Sequence, residues 1–431
     1  MGLKAIWNGW QRNLICMWVS QLLVNIGFAA AFSFIPLYLA SEKFGFSEAA
    51  LGHKASEAMV GLWTSRFAFF GMLAYAIFTP LWGMLSDRFG VKIMLYRGSF
   101  VTALIYPLMG LVGDVRTLIV LRFLTGALSG TTVAAKMLLV KTVPNDRQGF
   151  SLGVLETAIW GGAMIGDVLG GLAVHGFGFK ATFFLCGALF FTSGLFVVFA
   201  RDSEKSAAAS AAPGCRPDPR KSSAGMRWLF APSILTMMLL FLLCGVGLRF
   251  NTPYTSMMVK ALVGEERAAF WTGIIGACAA GGGMLMGVLM GWLSDKLPEW
   301  KITTPVQLVS ALMLFFASGA TSLFGFGFCH AANCTVTGGL YAVFQKVTSG
   351  AVERVRRGAV LGWATTMYNV GYMLSTLISG WIVTAFGLRW VYRGASALMV
   401  VLAAASALAI FNVLRIKARN QAKAAECAGC K

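Results

Sequence analysis

Long apolar stretches recur along the whole chain and alternate with short polar connections. A helix of about 20 apolar residues crosses a hydrocarbon core about 30 Å thick, and these stretches are close to that length. Their apolar residues follow one another continuously and do not alternate with polar ones, which excludes the alternating strands of a membrane barrel. The pattern predicts an all-α polytopic membrane protein with twelve spans, at residues 13–40, 57–85, 94–113, 116–142, 148–175, 180–200, 229–258, 269–293, 303–325, 329–348, 358–385 and 389–414.

The composition agrees with a membrane protein, because 57% of the 431 residues are hydrophobic and only 12% are charged. The formal net charge of +19 raises the question of a nucleic-acid partner. However, the lysines and arginines concentrate in the connections on the side of the two termini, as the positive-inside rule describes. We therefore expect a multi-pass protein of the inner (plasma) membrane with both termini cytoplasmic and with no nucleic-acid partner.

The longest connection, 201–227, is rich in Ala, Ser, Pro and basic residues, a composition typical of a flexible cytoplasmic linker. It separates an N-terminal six-span region, 1–200, from a C-terminal one with a polar tail, 228–431. GMLSDR at 83–88 and GWLSDK at 291–296 end the second span of each region, 208 positions apart. Such an internal repeat predicts two pseudo-symmetric six-helix bundles with the binding site between them.

Three sequence motifs accompany these spans. The segment WGMLSDRFGVK keeps most of the pattern G-x-x-x-D-R-x-G-R-K, at Gly83, Asp87, Arg88, Gly90 and Lys92. Span 4 carries an arginine followed by a glycine, Arg122 and Gly126. Span 5 follows G-x8-G-x3-G-P-x2-G-G, with Asp167 in place of the proline and with glycines at Gly153, Gly162, Gly166, Gly170 and Gly171.

With these motifs the chain resembles the major facilitator superfamily, and its fifth span resembles that of the drug:proton antiporters. The resemblance implies the twelve-helix fold of that family and alternating access between its two bundles. It further implies that the loop motif, with Asp295 in its second copy, forms a gate. The glycines of span 5 would let another helix approach closely. We expect the protein to act as a monomer.

Seven ionisable residues fall inside the predicted spans: Arg66, Arg122, Lys136, Glu156, Asp167, Arg249 and Lys346. A charge at mid-bilayer is costly, so each needs a partner or a watery cavity. Spans 4 and 5 are joined by a short turn, and equal depth in such a hairpin predicts two ion pairs on one seam, Lys136 with Glu156 and Arg122 with Asp167. These pairs either hold the hairpin together statically or break upon protonation and couple to motion.

The C-terminal spans contain no acid, so Arg249 and Lys346 lack an intramembrane counter-ion. We therefore expect them to bind an anionic group of the cargo. Three polar residues, Asn25, Tyr254 and Asn369, are candidates for the same pocket. Because span 1 contains no acid either, proton coupling would have to use Glu156 or Asp167.

These features favour a secondary active, proton-coupled exporter of small amphipathic or anionic organic molecules, as in multidrug or metabolite efflux. Two alternatives remain open: a lipid or lysophospholipid translocator, and an organic-anion or siderophore transporter without proton coupling. The chain has no G-x-x-x-x-G-K-[ST] loop and no nucleophile–base set, so neither an ATP-driven pump nor an enzyme is favoured. We expect no cofactor and no bound metal, since the cysteine pair of the terminal CAGC stands without a second pair or a histidine cluster.

Overall fold

The computed structural model describes residues 10–144, 147–200, 232–350 and 357–429. The predicted linker 201–227 lies outside them, as do Cys430 and the side chains from residue 412 onward. The N-terminal helices are α1 (Trp10–Phe32, then Ile35–Ala40), α2 (His53–Phe89), α3 (Val91–Leu111), α4 (Val115–Leu128, then Thr131–Thr142) and the pair α5 and α6, which share Gln148–Phe199.

The C-terminal helices repeat this order. They are α7 (Pro232–Arg249, then Thr255–Val263), α8 (Glu265–Lys296), α9 (Glu299–Gly319), α10 (Leu323–Thr337, then Leu340–Gly350), α11 (Arg357–Phe386) and α12 (Leu388–Gly429). Within the described chain, ten helical stretches are individually long and apolar enough to cross a membrane. The number is ten because Phe150–Phe199 contains both α5 and α6, and because α10 is broken into two shorter segments.

A sharp turn at Gly178 separates α5 from α6. Gly178 has φ 78° and ψ 174°, a conformation that a residue with a Cβ rarely adopts. Gly166 lies against Ile26 of α1, and Phe190 lies against the adjacent Gly27. These two contacts are twelve positions before and twelve after Gly178, so α5 and α6 run antiparallel beside α1.

The two ends of the molecule can be distinguished by the chain segments that meet there. At one end, which we call the linker side, the starts of α1, α3 and α5 pack with the ends of α4 and α6 around a buried apolar cluster that includes Leu14, Leu95, Leu138, Leu155 and Val197. Residue 200, after which the linker begins, belongs to the same cluster. We call the opposite end the distal side.

The two bundles close on each other at the distal side. The tip of α1 (Ile35–Ala40) packs against the tip of α7 (Thr255–Val263), and Phe34 and Leu37 form a buried cluster with Ala268 and Ala269 of α8. In the described chain no comparable packing joins the corresponding linker-side segments, Thr131–Thr142 of α4 and Leu340–Gly350 of α10. The bundles are therefore in contact at the distal side and apart at the linker side.

Candidate functional site

The carboxylate of Asp167 lies in the contact between the bundles. Its residue is 9% exposed, and its Oδ1 accepts a hydrogen bond of 2.6 Å from Ser33 of α1. Its Oδ2 faces the backbone of α8, where a Cβ on Gly276 would come within 2.6 Å of it. Among the described residues no lysine, arginine or histidine lies within 4.0 Å. An ionised carboxylate in this position is poorly compensated.

Lys136 and Glu156 have a different environment. The structure brings them together as the sequence predicts, with 2.5 Å between Nζ and Oε1. Their side chains are 41% and 45% exposed, although both lie well inside their helices. This exposure leaves the pair accessible on the linker side of Asp167, where the described parts of the bundles are apart.

The second predicted ion pair, Arg122 with Asp167, is wrong. The guanidinium carbon of Arg122 lies 4.0 Å from the ring centroid of Phe32 and 5.3 Å from that of Phe67. The prediction assumed about 100° of rotation per residue along an unbroken α4. However, Gly130 adopts a left-handed conformation with φ 74°, and this break removes the fixed rotation between Arg122 and the second half of α4.

Arg249 borders the open space between the bundles. Its side chain is exposed, its Nε donates to the hydroxyl of Tyr368 at 3.0 Å, and its guanidinium lies 5.6 Å from the ring centroid of Tyr372. Tyr372 is also close enough to Arg122 for the two groups to interact electrostatically. A tyrosine of α11 therefore lies within range of one arginine from each bundle.

Lys346 does not join Arg249, which corrects the prediction that they act together on one anion. The Nζ of Lys346 donates to the carbonyl and the hydroxyl of Ser294, at 2.6 and 3.2 Å. Arg249 instead contacts Tyr368 and Tyr372 of α11, so the two cations have different partners.

The three predicted polar residues do not form one pocket. Asn25 donates through Nδ2 to the carbonyl of Gln21 at 2.7 Å and faces α5 at Gly162. Tyr254 is fully buried in the distal contact, where Ser379 donates to its hydroxyl at 3.4 Å. Asn369 is half-buried and directly follows Tyr368, whose hydroxyl accepts from Arg249, in α11.

The gating motif is described only in part. Gly90, with φ 93°, makes the turn between α2 and α3, and the Nζ of Lys92 donates to the carbonyl of Val198 at the end of α6 at 2.9 Å. The surroundings of Gly83 and the side chains of Asp87, Arg88 and Asp295 lie outside what the structure describes. Their gating role stays a prediction.

The glycines of α5 fall into two groups. Three of them pack against α1, where an added Cβ would lie within 2.7 Å of the nearest atom: Gly162, Gly166 and Gly170. Gly171 packs against α8, where an added Cβ would lie 2.8 Å from the nearest atom. Gly153 has open space around it, so the structure does not support its predicted packing role. The reason is its position near the linker side, where the bundles are apart.

Sequence reasoning missed two features of the distal contact. Gly273 of α8 is so close to α5 that a Cβ would lie 2.5 Å from the carbonyl oxygen of Asp167. The Gly273-x2-Gly276 spacing was a usable signal for this contact. In addition, Glu57 of α2 accepts the amide of Leu388, the first residue of α12, at 2.6 Å. These residues are 331 positions apart, and no local pattern links them.

The fold and this arrangement define a helical membrane transporter of two bundles rather than an enzyme. The chain belongs to the Major Facilitator Superfamily, whose profile matches residues 17–338.

The chain is 26% identical over 398 residues to the multidrug resistance protein MdtG of Proteus mirabilis (strain HI4320), covering 91% of this chain and 94% of that protein. It is 26% identical to MdtG of Escherichia coli O6:K15:H31 (strain 536 / UPEC), covering 89% and 90%. Among solved structures it is similar to the nucleoside transporter NupG, with a TM-score of 0.69 and 15% identity over 93% of this chain and 99% of that one.

Proposed function

We propose that this protein exports small amphipathic or anionic organic molecules in exchange for protons. The observation that carries the proposal is a buried carboxylate, Asp167, the one acid buried among the described side chains, enclosed where two bundles of a transporter meet. With the linker side facing the cytoplasm, as the distribution of basic residues predicts, the bundles are open to the cytoplasm and closed to the outside.

Asp167 is the better candidate for the coupling proton. Within the described part of the chain, Ser33 supplies its one side-chain hydrogen bond, the backbone of α8 lies against it, and the thiol of Cys334 lies within electrostatic range. Protonation removes the cost of enclosing a charge and favours the closed distal contact. Loss of the proton favours separation of α5 from α8 and therefore opening to the outside.

This dependence of the distal contact on the protonation of Asp167 gives the transport cycle of an exporter. Cargo enters from the cytoplasm, Asp167 releases its proton to the cytoplasmic side, and the distal contact then opens and releases the cargo outside. A proton taken from the outside then allows α5 and α8 to close again. Glu156 does not fit this role as well, because it is half-exposed and paired with Lys136 outside the distal contact.

The cargo class rests on the groups that face the opening. Arg249 offers a cation, and Tyr368 and Tyr372 beside it offer aromatic surface. An amphipathic molecule with a negatively charged group matches this combination. The name of the relatives, multidrug resistance protein, agrees with efflux of organic molecules.

Reconstitution into liposomes tests the proposal. A panel of aromatic carboxylates, aromatic sulfonates, lipophilic cations and labelled lysophospholipids is measured with and without an imposed pH gradient. We expect the organic anions to move, driven by the gradient, and we expect Asp167→Asn to abolish the dependence on pH. Movement of lipophilic cations or lipids alone would contradict the cargo class, and transport indifferent to the gradient would contradict the coupling.

A further inference from the structure

At the break in α4 two helix ends meet, and their backbone groups differ in hydrogen bonding. The carbonyl end of the first segment is satisfied by side chains, since Trp82 Nε1 donates to the carbonyl of Ala127 at 2.5 Å and Arg97 Nη2 to that of Ser129 at 3.3 Å. The amide end of the second segment, Thr131–Thr142, begins at Gly130 and has no side-chain cap. The first amides of a helix are donors without intrahelical partners, and they carry a partial positive charge.

A cavity of about 100 Å³ lies beside this amide end. Its wall includes Gly130, Thr131 and Thr132 from the break, Arg122 from the first segment of α4, and the rings of Phe28 and Tyr75. The volume is well above the ~10–15 Å³ that one water molecule requires. It suits a small group of several atoms.

The cavity is rich in hydrogen-bond donors. The Nε of Arg122 is buried and has no acceptor among the described residues. Behind the lining residue Thr132, whose hydroxyl donates to the Oε1 of Gln21 at 2.8 Å, the buried Nε2 of Gln21 also has no acceptor among the described residues. Buried donors of this kind are costly unless an acceptor meets them.

The charged and partly charged groups that line this cavity are positive. Among the described residues no carboxylate lies within 4.0 Å of Arg122, whose guanidinium is held over the rings of Phe32 and Phe67. The helix amide end adds to the positive potential, in the manner of broken membrane helices that point their N-termini at anionic groups. Nothing in this wall compensates that charge.

We propose that the cavity at the α4 break is an oxyanion subsite, which binds the carboxylate, sulfonate or phosphate group of the cargo. The planar guanidinium of Arg122 can donate to two oxygens of such a group, and the amides of the second α4 segment can meet a third. The aromatic residues Phe28 and Tyr75 would contact the apolar part next to it. As a statement about cargo, the subsite rests on the proposed export function.

Equilibrium binding to purified, detergent-solubilised protein tests the subsite directly. The probes are phenyl phosphate and benzenesulfonate, with benzamide as a neutral analogue, inorganic phosphate as a free anion and a lysophosphatidylglycerol micelle as a lipid source. We expect the two aromatic anions to bind at least tenfold more tightly than benzamide. Competition by inorganic phosphate would assign the site to the oxyanion itself, and competition by the micelle alone would overturn the proposal in favour of a lipid site.

Variants locate the binding. Arg122→Gln should weaken binding of benzenesulfonate at least tenfold, Arg122→Lys should restore part of it, and Thr132→Val should weaken it severalfold with the guanidinium intact. Arg66→Gln removes the same charge from an exposed arginine stacked on Trp63 and should have no effect. Unchanged affinity in both Arg122→Gln and Thr132→Val would overturn the subsite. If liposomes that contain the parent protein still export a neutral amphipathic molecule when a pH gradient is imposed, the proposed export function stands even when the subsite is overturned.

Discussion

Two carboxylates of α5 have different environments because they lie toward opposite sides of the protein. Glu156 and Asp167 are eleven residues apart and, at 100° per residue, project from nearly the same face of the helix. Glu156 lies toward the linker side, is 45% exposed and is bound to Lys136. Asp167 lies toward the distal side, is 9% exposed and is bound to Ser33.

The difference follows from where the bundles meet. At the linker side they are apart, and Glu156 stays accessible and paired with Lys136. At the distal side α8 covers Asp167 with glycine backbone, which supplies no charge. We therefore expect protonation to matter more for Asp167, whose charge would be enclosed, than for Glu156, which has a cationic partner.

The largest effect should come from Asp167→Asn, which keeps the size and the hydrogen bond to Ser33 but cannot exchange a proton. We expect pH-driven efflux from proteoliposomes to fall to the level of protein-free liposomes. Exchange of cargo across the membrane without a gradient should slow as well, because a permanently neutral side chain favours the closed distal contact. The matched control is Glu156→Gln, for which pH-driven efflux should remain; its loss in Glu156→Gln alone would reverse the assignment of the two carboxylates.

The closed contact itself can be opened by Gly273→Ala. Its new Cβ would lie 2.5 Å from the carbonyl oxygen of Asp167, and backbone cannot rotate away. Overpacking costs about 1–3 kcal/mol, which corresponds to a shift of about 5- to 150-fold toward the distal-open state. The yield of a cross-link between Leu37→Cys and Ala268→Cys, which lie in one buried cluster, measures this shift.

Gly153→Ala is the control for that variant. It adds the same methyl group to α5 at a position with nothing within 4 Å. The cross-link yield should therefore equal that of the parent protein. An equal loss in both variants would show that the methyl group, and not its place in the contact, is responsible.

Removal of the link between Glu57 and α12 should have a smaller effect of the same sign. Glu57→Ala deprives the amide of Leu388 of its acceptor, and loss of a helix cap costs about 0.5–2 kcal/mol. The distal cross-link should form severalfold more slowly. Glu48→Ala, whose carboxylate contacts His53 within the same bundle, should leave the rate unchanged.

The smallest effect is expected for the ion pair at the open side. A double-mutant cycle of Lys136→Ala and Glu156→Ala on thermal or denaturant stability should give a coupling of about 0–1 kcal/mol, because both groups are half-exposed. The coupling should weaken further at high salt. A value of several kcal/mol would mean that the pair is enclosed during most of the transport cycle.

The sequence was sufficient where a short-range rule applied. The pairing of Lys136 with Glu156 follows from the tight connection between α4 and α5, which puts residues of equal depth side by side. The contact of Gly162, Gly166 and Gly170 with a neighbouring helix follows from their spacing. The predicted pairing of Arg122 with Asp167 was wrong because one left-handed residue, Gly130, interrupts the helical rotation on which the prediction depended.

By itself the sequence determined that this is a helical membrane protein, where most of its spans lie and which family it belongs to. These follow from local hydropathy and motifs, because lipid forces each span to satisfy its backbone hydrogen bonds internally. The predicted span 303–325 was wrong at its end, because α9 ends at Gly319 and α10 begins at Leu323. Only the tertiary structure decided which carboxylate is enclosed, that Glu57 holds α12, and that Arg122 faces a cavity at a helix break. Those facts depend on contacts between residues far apart along the chain, such as 134 positions for Ser33 and Asp167 and 331 for Glu57 and Leu388, and on which end of the molecule is closed. Neither leaves a local pattern in the sequence.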